Sequence, residues 1–183
     1  MFDAVHLTWL SFIALVIVLA MYSYPKLSSV QQQRYQQLIF WTLLLLEGAK
    51  QIFFLGTHQY SYWSPPLHLC GLGIFIAGWH AYKTSRTTST LLYALTLPGA
   101  VIALVFPGWT ADAVGGFLHI HSFLFHTLLV AFVIPLIRTQ QLELRWQDLW
   151  RAALFLLITV PIIYAYNATF RTNFMFLNYP VSG

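Results

Sequence analysis

The single cysteine of this chain, Cys70, stands two residues after His68 in the run Pro65-Pro66-Leu67-His68-Leu69-Cys70. A thiolate is a strong nucleophile toward esters, and an imidazole can take the thiol proton, so cysteine and histidine together suit acyl transfer. His119, His121 and His126 lie further along, on one apolar stretch. Residues seven apart differ by about two helical turns, so His119 and His126 share a face and His121 points elsewhere. His68 and Cys70 also point apart on a regular helix, unless the double proline distorts that turn. A plainer reading stays open for each residue: a lone cysteine packs as a small apolar group, and a lone histidine is a hydrogen-bonded core residue. His68, Cys70, His119 and His126 are suitable zinc or copper ligands, but neither HExxH nor CxxC is present. No metal and no cofactor is expected.

A second set of polar residues sits in equally apolar surroundings. Glu47 and Lys50 stand at i,i+3, where they can pair on one helix face, and Gln51 follows Glu47 by one turn. The pair reads either as a self-neutralising bundle contact or as a proton or head-group site. Tyr166, Asn167, Arg171 and Asn173 gather near the carboxyl end. Asn167-Ala168-Thr169 formally matches a glycosylation acceptor and is set aside as a three-residue pattern.

The elements that carry these residues follow from composition. Of 183 residues, 58% are hydrophobic and 8% charged, against about 25% charged in a soluble domain. Mean hydropathy is +0.67. This excludes a water-facing globule and predicts one all-α membrane bundle without a second domain. Apolar runs near the roughly 20 residues that a bilayer requires predict six spans, over about residues 6–24, 38–55, 66–82, 90–106, 115–137 and 149–166. Pro65-Pro66 is a favourable start for the third, since proline lacks the amide that would be unpaired there. Pro98 should kink the fourth. The polar stretch from Ser28 to Gln37 reads as a connection. The first run is a retained anchor rather than a cleaved leader, because no basic region precedes it. One cysteine excludes an intrachain disulfide.

Lys26, Arg34, Lys83, Arg86, Arg138, Arg145 and Arg151 make seven of the nine cations, and all fall between odd-numbered spans and the spans that follow. The net charge of +4 is therefore a topology signal and not a nucleic-acid footprint. The positive-inside rule puts the amino terminus outside, in a multi-pass protein of the cell membrane. Tyr60, Tyr62, Trp63 and Trp109 suit an outer aromatic belt. With this orientation Glu47, Lys50, Gln51, His68, Cys70, His119, His126, Asn167 and Asn173 all fall in the outer half. Nothing comparable is expected in the inner half, and the asymmetry suggests a cavity toward the outer leaflet.

The run from Glu47 to Cys70 with its closing PLHLC, the FHTLLV at Phe125 to Val130 and the TNFMFL at Thr172 to Leu177 resemble the bacterial YwaF-like integral membrane family. That family is related to eukaryotic transmembrane acyltransferases that remodel ether phospholipids. The resemblance covers roughly Gln37 to Tyr179. It implies cysteine-dependent acyl transfer or ester hydrolysis on membrane lipids, with Cys70 as nucleophile and His126 as base. Asn173 would orient substrate or stabilise the oxyanion, with His68, Glu47, Gln51 and His119 around the substrate. It also implies a seventh span; the chain stops at Val181-Ser182-Gly183, so that span is expected to be missing or cut away. Expected partners are membrane lipids and a second copy in a homo-oligomer. The rival reading is a small-molecule transporter or solute-binding module using Glu47, Lys50 and the histidines. The two halves show no inverted symmetry, which counts against it. A third reading is an accessory subunit.

Overall fold

Three helix starts along this chain, those of the first, second and fourth helices, are set by short polar side chains that bind amides no helix can pair internally. The Asp3 carboxylate accepts from His6 N–H at 2.9 Å and opens α1, Ala4–Ser23. Ser28 and Gln31 form a capping box that opens α2, Ser29–Gly56. Ser85 and Thr88 form another for α4, Arg86–Leu91. In the computed structural model, which describes residues 2–108 and 112–179, every regular element is helical. Between α2 and α4 comes α3, Leu69–Tyr82. After α4 follow a π turn over Leu92–Thr96, α5 (Leu97–Val105), α6 (Phe117–Arg138) and α7 (Leu149–Phe170). Trp109 and the closing Val181-Ser182-Gly183 lie outside the described residues.

Five helical runs are long and apolar enough to cross a bilayer, among the described residues: Ala4–Lys26, Ser29–Gly56, Arg86–Val105, Phe117–Arg138 and Trp146–Phe170. They correspond to expected spans one, two, four, five and six. Span three differs. Helix α3 has only 14 residues and begins at Leu69, not at the prolines. Each proline disfavours helical backbone in the residue before it, and His68 takes an extended conformation (ψ 154°) as the N-cap. The stretch from Ser28 to Gln37 also departs from expectation. The capping box makes it the first turns of α2 rather than a connection.

Helix α6 runs through the middle, against α1, α2, α3 and α5, and supplies much of the buried core, including Phe123, Leu129, Phe132 and Leu136. Helix α7 is peripheral and exposes Leu157, Ile158, Ile162 and Tyr164, an apolar surface that suits lipid rather than water. Just before Pro98 the helix widens into a π turn. The Leu97 amide reaches back five residues to Leu92 O, and this π turn accommodates a ring that a regular helix would drive into a carbonyl. Bonds between helix ends fix the sidedness: Tyr24 Oη donates to Gln141, and Arg86 pairs with Glu143 at 3.3 Å. The cation-rich connections therefore share one end of the bundle, called inner below.

Candidate functional site

The outer end of α2 holds a buried carboxylate. Glu47 is only 7% exposed, and its Oε2 lies 2.8 Å from Lys50 Nζ. Gln51 Nε2 donates to Glu47 Oε1 and, at 2.7 Å, to Ser64 O. Two acceptors facing this nitrogen fix the orientation of the amide, since a flipped carbonyl would meet oxygen on both sides. Gln51 Oε1 is then left buried without a donor. His121, also buried, lies within reach of the Glu47 and Lys50 charges, and its Nε2 lacks a partner. A buried polar atom left unpaired costs about 1–3 kcal/mol, and two such atoms stand beside this ion pair.

His68, His121 and His126 lie within electrostatic range of Lys50, and His119 turns away. His126 lies within electrostatic range of His121, His68 and Lys50. Its Nδ1 is 2.7 Å from Ser122 O. A carbonyl can only accept, so Nδ1 carries the hydrogen and Nε2 the lone pair. His119 turns to α1 instead, where it packs edge-on against Trp9 and Phe123, with Nδ1 buried and unbonded. His119 and His126 meet different neighbours although their heptad spacing on the unbroken α6 puts them on one face, and His121 joins the Glu47 cluster. The heptad rule compares positions on α6 alone, whereas the neighbouring helices decide which face meets which partner.

Cys70 occupies the first turn of α3, half-buried. A β-carbon at Gly99 would stand 3.6 Å from its sulfur, which places the thiol against α5. No hydrogen bond joins it to a histidine among the described residues. The chain before it turns sharply over the helix start. Gly71 makes this possible, because any β-carbon there would collide with the Pro66 carbonyl. Non-helical backbone at membrane depth is tolerated only where protein or a cavity covers it. The cover comes from the carboxyl-terminal tail. Arg171 leaves α7 in the left-handed region (φ 55°), and the following residues fold back onto His68. Phe174 and Phe176 flank its ring, and Met175 N–H donates to its Nδ1 at 3.4 Å.

Asn167, wholly buried, organises that return. Its amide donates to Phe174 O at 3.0 Å, while its oxygen accepts from Phe174 N–H and the Thr172 hydroxyl. Asn173 binds the tail itself, donating to Tyr179 O and accepting from Asn178 N–H. Among the described residues, no three His, Cys, Asp or Glu side chains converge as a metal site would need.

The inner half is not bare of polar groups, contrary to the expected asymmetry. Gln36 donates to Tyr24 Oη at 2.9 Å, Tyr24 Oη donates to Gln141, and Gln141 donates to Gln32 at 2.7 Å. Gln32, Gln36 and Gln141 border a pocket of about 270 Å³. The sequence pattern hides them, because Gln32 and Gln36 fall in a polar segment that reads as a connection. Their i,i+4 spacing on a helical face was the available signal.

Long apolar helices around a buried charged cluster define a polytopic helical membrane protein. The chain belongs to the TMEM164 family, whose family model matches residues 1–183, its whole length. No curated protein and no solved structure matches it.

Proposed function

We propose that this protein transfers acyl groups on membrane lipids, with Cys70 as the acyl-accepting nucleophile and His126 as its base. The observation that carries the reading is the His126 tautomer. The bond to Ser122 O commits Nδ1 as a donor, so Nε2 is the basic nitrogen, at the same end of the bundle as Cys70. The resemblance of the PLHLC, FHTLLV and TNFMFL segments to the YwaF-like family supports it independently.

His126 Nε2 takes the thiol proton, and the Cys70 sulfur attacks the ester carbonyl of a lipid. Collapse of the tetrahedral adduct breaks the ester C–O bond, leaves a thioester on Cys70 and returns the proton to the departing alcohol. A second hydroxyl, from an acceptor lipid or water, gives its proton to Nε2 and attacks the thioester, and Cys70 is released and reprotonated. Glu47, Gln51, His68 and His121 would meet the polar head group. The Gln51 carbonyl accepts from a hydroxyl or ammonium, which closes its empty valence. His119 and Asn173 then act indirectly, through the α1 contact and the tail.

The buried Glu47–Lys50 pair favours a second reading, a site that binds a polar solute without chemistry. Intact-mass measurement of purified protein mixed with a phospholipid ester separates the two. The proposal expects an acyl adduct on Cys70 that hydroxylamine removes and Cys70→Ala lacks. Turnover should fall about 10²–10⁴-fold in His126→Ala. Turnover that survives Cys70→Ala, or an inert thiol without turnover, moves the assignment to solute binding.

A further inference from the structure

Helices α3 and α7 both pack on α4 but scarcely meet each other. The gap between them is a groove of about 350 Å³. Its walls are Phe75, Ile76 and Trp79 on one side and Leu154, Phe155 and Ile158 on the other. Eight residues of α7 separate Trp150 from Ile158, so the groove runs about 12 Å along the bundle axis. One leaflet of hydrocarbon is about 15 Å deep. The groove starts at the inner end, where Arg151 and Thr87 complete its lining.

The chemistry changes along its length. The upper part is aliphatic and aromatic. At the inner end Arg151 Nε donates to Asp148 Oδ1 at 2.9 Å, one Nη donates to Thr87 Oγ1 at 2.9 Å, and the guanidinium lies over the Trp150 ring at 4.8 Å. These bonds hold the guanidinium in place and leave its second Nη for another acceptor. Lys83, Arg86, Arg145 and Arg151 at this end stand against only Glu143 and Asp148. Cys70 does not serve this groove. It lies about 200° around α3 from Leu72 and contacts α5 instead.

We infer that this groove holds one anionic phospholipid of the inner leaflet, its acyl chain between α3 and α7 and its phosphate against Arg151. An apolar slot beside a positioned guanidinium matches an amphiphile with a negative head. A further helix or a second copy would have to present an anion at the same depth.

Native mass spectrometry in detergent with equal phosphatidylglycerol and phosphatidylcholine tests this. Wild type is expected to retain phosphatidylglycerol about tenfold better, the effect of one charge-assisted contact. Asp148→Asn with Arg151→Gln removes both charges together, leaving no buried carboxylate unpaired, and should lose the preference while keeping its helix content. Arg151→Lys should keep part of the preference. Leu154→Trp should fill the slot and shed the lipid itself. An undiminished preference in the double variant would overturn the inference. So would a wild-type dimer that Leu154→Trp converts to monomer, since a second copy would then cover the groove.

Discussion

Two polar clusters hang on α2, separated by about 16 Å of helix between Gln36 and Glu47. The inner one is neutral and closed on itself. Tyr24, Gln32, Gln36 and Gln141 exchange hydrogen bonds of 2.7–2.9 Å, and Gln32 also donates to Tyr24 O at 3.1 Å. The outer one contains a buried ion pair, and Gln51 Oε1 and His121 Nε2 have no partner. Both tie α2 to its neighbours, but the inner cluster could do so indefinitely without a ligand. The outer cluster keeps charge and empty valence where the fold alone would favour neither. Such unspent polarity is a better mark of a working site than the mere presence of polar groups, which both ends share.

The comparison breaks most sharply at the outer cover. Asn167→Ala should cost about 3 kcal/mol, because it leaves Phe174 O, Phe174 N–H and the Thr172 hydroxyl without their partner in a buried setting. A thermal melt in detergent measures the loss, and faster proteolysis after Arg171 would show that the tail has come off His68. Next comes the ion pair. Lys50→Met strands the Glu47 carboxylate and should cost about 2–3 kcal/mol, less than a wholly enclosed pair because Lys50 remains partly exposed. Glu47→Gln combined with Lys50→Met should recover most of that. A double variant as unstable as the single one would show that packing, and not charge, sets the cost at this end.

The inner cluster should respond more weakly. Tyr24→Phe removes one hydroxyl that accepts from Gln36 and donates to Gln141, for about 1–2 kcal/mol. The two amides can then turn toward each other or toward the adjoining pocket. A loss equal to that of Lys50→Met would erase the distinction between a charged end and a neutral one.

The spans were legible because a bilayer demands long apolar runs, and these stand out from composition alone. Helix ends were less so. The glutamine-rich start of α2 looks like a connection until Ser28 and Gln31 are read as a capping box, and Pro65-Pro66 looks like a helix start although it delays α3 to Leu69. The outer residues Glu47, Lys50 and Gln51 could be read as partners because their contacts are local along one helix. The roles of His121, Ser64 and Asn167 depend on which helices meet, and spacing within one element carries no information about that. Cys70 shows the same limit. Its place on α3 follows from the sequence, whereas its packing against Gly99 follows only from the fold.

The smallest effect should come from a charge at the outer end that is not buried. Asp3 caps α1 in full contact with water, and the His6 N–H bond holds its carboxyl below the ordinary value of 3.8. A folded-state pKa lowered in this way contributes stability that is present above 3.8 and lost as the pH falls through the folded value. Asp3→Ala should therefore speed amide hydrogen exchange over the first turn, Ala4 to Leu7, at neutral pH, with little change in melting temperature. Asp3→Asn, which keeps an accepting oxygen, should restore most of the protection and remove its acid sensitivity. If Asp3→Ala instead destabilised the bundle as much as Lys50→Met, charge at the outer end would matter regardless of burial. A small, local effect would leave burial as the cause of the cost at Glu47.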